Sequence, residues 1–268
     1  MLNALRSALF LAIQVLTVIP YALALLLLAP APLRWRYRFA IGWPRAMIVV
    51  ARWVCGIRWQ IRGLEHLPQG QAILLSKHQS TWETFFLIAY MPRELCFVFK
   101  RELLWLPFFG WGIALLDMIH IDRAKGRDAF ESVVRQGLRK LEQGSWIIMF
   151  PEGTRMPRGQ RGKYKTGGSR LAIRTGAPVV PIAVDSARAW PKRPWIKQPG
   201  LITVSIGPPI ASAHHDADSL MQEVESWIED EMQRLDPQAG TLASGEVRAQ
   251  ARAASRGKSE ARPPGTSA

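Results

Sequence analysis

Residues 72–90, AILLSKHQSTWETFFLIAY, place a short apolar run before a polar loop and a second apolar segment. Residues 72–76 have the length and composition of a buried β-strand. Residues 82–90 predict a helix, and Ser80 with Glu83 three positions later fits the capping box that begins many helices. A strand followed at once by a helix is the repeating unit of α/β proteins.

The same unit recurs through the middle of the chain. Further short apolar runs bounded by turn residues predict strands at residues 95–99, 118–121, 146–150, 178–184 and 201–207. Three more segments predict helices, at residues 127–142, 167–175 and 217–235. The last of these helices has apolar side chains on one face and acidic side chains on the other. This alternation predicts an α/β layer architecture.

Positive charge is concentrated at the N-terminal end. The net charge is +14 at neutral pH, and residues 1–64 contain eight arginines and no Asp or Glu. Residues 7–33 contain no charged side chain, and a run of ~20 apolar residues is enough to cross a hydrocarbon core. Because Gln14, Thr17 and Pro20 interrupt this run, a kinked span and a helical hairpin in one leaflet both fit. A cleaved signal peptide fits less well, because the run exceeds the usual apolar core of such peptides.

Arginines and tryptophans follow the apolar run. Arg34, Arg36 and Arg38 place its end on the cytoplasmic side by the positive-inside rule. Residues 35–59 hold four tryptophans and apolar residues at roughly helical spacing, which suits the headgroup layer of a membrane. The alternative is an ordinary core helix with solvated arginines. Arginine beside the most apolar stretch of the chain favours an anionic membrane surface, and not nucleic acid, as the partner.

The chain divides into three parts by composition. We predict a membrane-associated helical region over residues 1–60, an α/β domain over residues 61–236 and a disordered basic tail over residues 237–268. The tail has almost no large apolar residues. The two cysteines and the scattered histidines lack the spacing of a metal site, so no metal is predicted.

The first candidate for chemistry is the pair His78 and Glu83. The predicted strand ends just before His78, and the predicted helix carries Glu83 in its first turn, so the two side chains can converge. Glutamate accepting from one imidazole nitrogen fixes the tautomer, and the other nitrogen is then free to take a proton from a hydroxyl. The alternative is that Glu83 only caps the helix.

Two other segments carry charged side chains after predicted strands. FPEGTR, residues 150–155, offers a hydroxyl, a carboxylate and the Arg155 guanidinium, which can grip a phosphate. The alternative is a plain turn with a surface salt bridge. Within residues 99–123, Lys100 and Arg101 precede an apolar, aromatic stretch. Core packing is the commoner use of such side chains, but beside paired cations they suit an amphiphile with a charged head.

These blocks, in this order, resemble the glycerolipid acyltransferase family, particularly its bacterial members that act on 1-acylglycerol 3-phosphate. His78 and Glu83 match the family's His-x4-Asp motif, with Glu in place of Asp. GWGIALLDMIHIDR, residues 110–123, matches an apolar block that ends in arginine. The third block is matched by FPEGTR and the fourth by VVPIAV, residues 179–184. The resemblance covers roughly residues 60–210.

The resemblance implies a mixed sheet flanked by helices, with an N-terminal membrane-associated helical segment. The implied reaction moves a fatty acyl group from an acyl-carrier-protein or coenzyme A thioester to the free hydroxyl of lysophosphatidic acid. This is a step in phospholipid biosynthesis that needs no metal or other cofactor. It implies a location at the inner cell membrane, with the active site on the cytoplasmic face where thioester donors are found.

The resemblance also assigns roles to individual residues. It implies that His78 is the general base and that Glu83 orients it. It implies that the acceptor head is bound by Glu152, Gly153, Thr154 and Arg155, and that its phosphate is contacted by Arg155, Arg123, Lys100 and Arg101. Two alternatives stay open: an acyltransferase for another lyso-lipid, and a membrane-bound thioesterase whose histidine activates water. A charge-driven membrane- or RNA-binding module would leave the HQSTWE and PEGTR segments unexplained.

Overall fold

A seven-stranded sheet runs through the computed structural model, which describes residues 1–106, 109–122, 126–192 and 195–239. In chain order the strands are β1 (Ile57–Arg62), β2 (Ile73–Ser76), β3 (Leu95–Lys100), β4 (Ile119–Ile121), β5 (Trp146–Met149), β6 (Val179–Val184) and β7 (Gly200–Ile206). The order across the sheet is β1-β7-β6-β2-β5-β3-β4. All neighbouring pairs are parallel except β6 with β7, which confirms the predicted mixed α/β sheet.

Seven α-helices accompany the sheet in the described ranges. They are α1 (Leu2–Leu27), α2 (Leu33–Cys55), α3 (Trp82–Tyr90), α4 (Phe109–Ala114), α5 (Gly126–Glu142), α6 (Gly167–Thr175) and α7 (Ala217–Leu235). The predicted helices at 82–90, 127–142, 167–175 and 217–235 are confirmed, with α5 starting one residue earlier. Residues 240–268, most of the predicted tail, lie outside the described residues, as does Arg123.

The helices cover both faces of the sheet. Along β2, Leu74 belongs to an apolar cluster that includes Phe10 of α1, Ile48 of α2 and Phe86 of α3. Ile73 and Leu75 point the other way, into a cluster formed with α5, α6 and α7. Successive strand residues face opposite sides. A strand buried on both faces therefore reads as the continuous apolar run seen in the sequence.

Strand β1 was not predicted, and it crosses the predicted boundary between residues 60 and 61. It pairs in parallel with β7, from Ile57 opposite Gly200 to Arg62 opposite Ser205. Its tryptophan and arginines resembled a continuation of the membrane-associated segment. The alternation of apolar and polar residues in IRWQIR, however, is the period expected of a strand with one covered face.

The two N-terminal helices form a hairpin that is attached to the sheet-containing body. At the start of α1, the Asn3 amide donates to Gln198 Oε1 at 2.7 Å, and the Lys197 backbone N–H donates to Ser7 Oγ at 2.8 Å. Farther along, Trp43 of α2 donates from Nε1 to Thr17 Oγ1 at 3.0 Å. Most of the apolar run of residues 7–33 is thus one continuous helix with Pro20 inside it, and the hairpin is formed with α2. A span and an entry into one leaflet both stay predictions for this segment.

Five adjacent parallel strands determine where the functional groups meet. β6, β2, β5, β3 and β4 lie side by side, so their carboxyl ends share one edge of the sheet. Open α/β sheets place ligands beyond the carboxyl ends of their strands. The segments that begin at His78, Phe150, Lys100 and Asp122 all leave the sheet at this edge.

Candidate active site

The imidazole of His78 lies against the carboxylate of Glu83. Its Nδ1 is 3.0 Å from Glu83 Oε1, and the side chains of His78 and Glu83 are 17% and 0% exposed. His78 leaves the end of β2, whereas Glu83 lies in the first turn of α3, which brings the two groups together. The predicted convergence of this pair is what the structure shows.

The Glu83 carboxylate is surrounded by hydrogen-bond donors. Oε1 also accepts from the backbone N–H groups of Gln79 and Ser80, each at 2.6 Å. Oε2 accepts from the hydroxyls of Ser80 and Ser186, the latter at 2.8 Å. Ser186 was not predicted as part of the site. It follows β6, which neighbours β2, so the VVPIAV segment carries it to the carboxylate.

Glu83 takes part in the helix start as well as in the pair with histidine. The Ser80 N–H donates to Glu83, which is the glutamate half of a capping box. The Ser80 hydroxyl accepts from the Trp82 N–H at 2.9 Å. The two interpretations of this segment therefore do not exclude each other.

Glu83 remains ionised in this environment. Burial by itself raises the pKa of the carboxyl, but the hydrogen bond and charge of His78, together with the hydrogen bonds from Ser80, outweigh it. The net result is a pKa below its ordinary value. An ionised carboxylate requires the proton of a neutral imidazole to sit on Nδ1. Nε2, which has no hydrogen-bond partner in the described part of the chain, is then the acceptor.

The FPEGTR segment holds His78 from the neighbouring strand. The Phe150 ring stacks on the imidazole, with centroids 4.0 Å apart and planes inclined by 17°. The His78 N–H donates to Glu152 Oε2 at 3.2 Å, and the Met156 N–H donates to the His78 carbonyl at 2.7 Å. The ring and the backbone of His78 are both fixed by residues that follow β5.

Glu152 differs from the prediction that it contacts the acceptor head. Its side chain is 0% exposed, and its Oε1 lies 2.7 Å from the Nζ of Lys77, which is also buried. The same oxygen accepts from the Gly162 N–H at 3.1 Å. The physical reason is that a buried ammonium group requires a counter-charge. Burial of Lys77 depends on tertiary packing, so the sequence contained no local sign of it.

The rest of the turn is open to solvent beside the histidine. Gly153 and Thr154 are exposed, and Gly153 has φ +69°, a conformation that favours glycine. Arg155 donates from Nη1 to Thr81 Oγ1 at 3.0 Å, which places its guanidinium by the loop that carries His78. Of the predicted acceptor-binding residues, Arg155 therefore lies beside the loop that carries His78, and Gly153 and Thr154 precede it in the same turn.

Two lysines that were not predicted flank this turn. Lys192 donates from Nζ to the Arg155 carbonyl at 3.0 Å. A Cβ added to Gly153 would lie 2.8 Å from the Nζ of Lys165. Neither lysine has an acidic partner among the described residues. The sequence did contain a sign of this cationic surface: residues 155–170, after FPEGTR, are rich in basic side chains and include no acid.

Lys100 and Arg101 lie farther along the same edge. Lys100 ends β3 and Arg101 follows it. Because β5 separates β3 from β2, two strand spacings of about 5 Å lie between these residues and His78. Both side chains are exposed, and Arg101 pairs with Asp122 at 2.8 Å. A cavity of about 330 Å³ lies there, lined by Arg101, His120, Asp122, Asp128, Ala129, Glu131, Ser132 and Arg135. The structure brings these predicted cations to the shared edge but not into contact with the dyad.

In the described ranges, no group of three or more His, Cys, Asp or Glu side chains is arranged to hold a metal ion. The site therefore consists of an imidazole with one free nitrogen, an ionised partner and a nearby cationic turn. Such a constellation can deprotonate a hydroxyl of an anionic molecule.

Comparisons with known proteins identify the family. A family model described as Acyltransferase matches residues 58–185. The chain is 42% identical over 243 residues to the 1-acyl-sn-glycerol-3-phosphate acyltransferase of Pseudomonas aeruginosa, covering 88% of this chain and 93% of that protein. It is 34% identical over 202 residues to the protein of the same name from Limnanthes douglasii, covering 74% and 70% respectively.

A solved structure shows the same fold. It is the 1-acyl-sn-glycerophosphate (LPA) acyltransferase PlsC of Thermotoga maritima, with a TM-score of 0.71 at 22% identity. The match covers 87% of this chain and 96% of that one. The Pseudomonas aeruginosa protein matches nearly the same length of this chain, so the agreement is not confined to a short motif. The chain therefore belongs to the acyltransferase family and is an enzyme of that family.

Proposed function

We propose that this enzyme transfers a fatty acyl group from a thioester of acyl carrier protein or coenzyme A to the sn-2 hydroxyl of 1-acyl-sn-glycerol 3-phosphate. The product is phosphatidic acid, and no metal or other cofactor takes part. The observation that carries the proposal is the dyad, in which an ionised Glu83 fixes the imidazole of His78 with Nε2 free. The names of the sequence relatives support the acceptor.

In the proposed reaction His78 acts first as base and then as acid. Nε2 takes the proton from the sn-2 hydroxyl while the oxygen attacks the thioester carbonyl carbon. The C–S bond then breaks, and the departing sulfur takes the proton back from the imidazolium. Glu83 stays ionised throughout and stabilises the positive charge that the ring carries between the two transfers. The new ester bond and the free thiol account for all atoms.

The phosphate of the acceptor binds at the cationic turn in this proposal. Arg155 has no acidic partner among the described residues, and its guanidinium can present two N–H groups to a phosphate. Gly153 and Thr154 offer exposed backbone and hydroxyl groups, and Lys165 and Lys192 add positive charge beside them. Lys100 and Arg101 lie farther along the same edge and add positive charge for an amphiphilic substrate. Arg123, which was predicted to contact the phosphate with them, lies outside the described residues.

We further propose that α1 and α2 attach the enzyme to the inner cell membrane with the active site on the cytoplasmic face. The most apolar window of α1 is only 11% buried and has a mean hydropathy of 2.3. Arg34, Arg38 and Arg45 on α2 are exposed, and so is Trp53, 78% of which is accessible. Arginine and tryptophan beside an apolar surface suit an anionic interface. Because α1 is tied to the body near Asn3, a hairpin entering one leaflet is favoured.

The proposal is tested with the purified full chain, labelled acyl thioester and a panel of lyso-acceptors. We expect acylation of lysophosphatidic acid, and we expect His78→Ala to abolish it. His215→Ala, which changes a histidine outside the site, is the matched control and should leave the rate unchanged. Persistence of full acyl transfer in His78→Ala would disprove the role of the base. Free fatty acid as the sole product would instead favour a thioesterase.

A further inference from the structure

An ion cluster lies directly behind the proposed base, and it is buried except for Glu229, whose side chain is 21% exposed. The Lys77 side chain is 1% exposed, and its Nζ lies 2.7 Å from Glu152 Oε1 and 2.7 Å from Glu229 Oε1. The hydroxyl of Tyr164 donates to the same oxygen of Glu229 at 2.7 Å. The cluster joins three parts of the fold, because Lys77 follows β2, Glu152 follows β5 and Glu229 belongs to α7.

The members of the cluster depend on one another for their charge balance. One ammonium group is shared by two carboxylates, and buried charges are tolerated only when they are paired and hydrogen-bonded. Burial raises the pKa of the Tyr164 phenol, and the neighbouring carboxylates of Glu229 and Glu152 raise it further, so the phenol remains a donor. Clusters of this kind contribute little to stability compared with apolar packing. In this protein the two ion pairs of Lys77 define the relative positions of its ammonium and the carboxylates of Glu152 and Glu229.

The cluster reaches His78 through its backbone. Glu152 uses Oε1 for Lys77 and Oε2 for the His78 N–H, at 2.7 and 3.2 Å respectively. The orientation of the carboxylate that holds the histidine backbone therefore depends on the Lys77 ammonium, together with the Gly162 N–H that donates to the same oxygen. The position of the ammonium depends in turn on Glu229, because the ammonium lies between the two carboxylates.

We propose that Glu229 is a positioning residue for His78, acting through Lys77 and Glu152. The proposal rests on the proposed role of His78 as base. Glu229 lies outside residues 58–185, which the family model matches. A misplacement of a reacting group by about 1 Å costs roughly 100-fold in rate. In Glu229→Gln, the Lys77 ammonium loses one of its two counter-charges. Its position changes as a result, and with it the orientation of the Glu152 carboxylate.

The first measurement is the steady-state kinetics of the full chain in detergent micelles. For Glu229→Gln we expect kcat to fall between about 10- and 100-fold, with the KM for lysophosphatidic acid within about twofold of wild type. Glu225→Gln is the matched control. Glu225 lies on the same helix, and its carboxylate pairs at 2.6 Å with Arg161, which is 60% exposed. That variant should keep the wild-type kcat.

The second measurement follows the histidine itself. In protein labelled with ¹⁵N-histidine, the Nδ1–H proton of His78 is assigned by its loss in His78→Asn. We expect this signal to shift or broaden in Glu229→Gln and to stay unchanged in Glu225→Gln. If Glu229→Gln fails to fold, Tyr164→Phe removes one donor from the same carboxylate and should give a kcat loss of about two- to fivefold.

Three results would overturn the inference: an unchanged kcat in Glu229→Gln, a raised KM at constant kcat, or a kcat loss that accompanies a lower Tm while the Nδ1–H signal stays as in wild type. A failure of the proposed function is distinguishable from these, because the wild type would then form no acylated lysophosphatidic acid, or His78→Asn would retain acyl transfer, whatever the signal of Glu229→Gln shows.

Discussion

Replacing Glu83 by glutamine separates the two roles of this residue. Glutamine has the same shape, and its amide oxygen can take the place of Oε1, which accepts from the N–H groups of Gln79 and Ser80. Its amide NH₂ then faces the hydroxyls of Ser80 and Ser186, which can rotate to accept. The hydrogen bonds that begin α3 are preserved, whereas the negative charge beside the imidazole is lost.

The size of the kinetic effect follows from the distance between the two groups. Nδ1 and Oε1 are 3.0 Å apart, which places the centres of charge of an imidazolium and a carboxylate at about 4 Å. At an effective dielectric constant of about 20, two unit charges at this distance attract each other by about 4 kcal/mol. One factor of ten in rate corresponds to about 1.4 kcal/mol. We therefore expect kcat to fall by about 10³-fold in Glu83→Gln.

The assay is acyl transfer to lysophosphatidic acid in mixed micelles, with thermal unfolding measured on the same preparations. Glu225→Gln, which removes an ion pair with the exposed Arg161 outside the site, serves as the control and should leave kcat unchanged. The reasoning would be refuted by a Glu83→Gln variant whose kcat stays within tenfold of wild type while its Tm falls. In that case Glu83 serves only to begin the helix.

Three further predictions concern binding, pH and the membrane. Arg155→Gln should raise the KM for lysophosphatidic acid about tenfold or more, because a hydrogen bond to a charged group contributes about 1.5–3 kcal/mol. An equal rise in the KM for an uncharged monoacylglycerol would contradict a phosphate contact. Folding lowers the pKa of Glu83, so its ionised carboxylate stabilises the protein above the ordinary pKa of 4.5. This stabilisation is lost as the pH falls through the pKa that Glu83 has in the folded protein. Denaturant titrations should therefore give a difference in unfolding free energy between wild type and Glu83→Gln that is constant near neutrality and changes below pH 4.5. A difference that does not depend on pH would contradict this prediction. Arg34→Gln combined with Arg38→Gln should weaken sedimentation with anionic vesicles by about 2 kcal/mol, roughly 30-fold, at about 1 kcal/mol per arginine. Binding to neutral vesicles is the control, and an equal loss there would contradict electrostatic attraction.

The elements of the domain were predictable because their signals are local. A run such as WIIM between turn residues has the length of a strand, and the burial of its first three residues in β5 explains why it is continuously apolar. The pair His78 and Glu83 was predictable for the same reason, since the end of one element and the start of the next fix their approach. β1 was missed because its tryptophan and arginines were attributed to the interface, although Ile57, Trp59 and Ile61 alternate as in a strand.

The environment of the site depends on contacts between residues far apart in the chain, and these contacts could not be predicted from the sequence. Glu152 appeared as one more polar group in a turn, whereas in the fold it is buried against Lys77. Ser186 donates to Glu83 across 103 positions of chain. Neither contact leaves a local pattern, because a side chain's burial and partners are set by which strands become neighbours.

The pairing of β1 with β7 has a consequence for the order in which the enzyme is made. β1 is at the sheet edge with Ile57 opposite Gly200, so it stays without its strand partner until most of the chain has been synthesised. The α1–α2 hairpin, by contrast, is formed by residues that are synthesised before every strand of the sheet. Its apolar surface is then ready for a bilayer before the sheet closes. We expect the nascent chain to reach the membrane first and to complete its catalytic edge there.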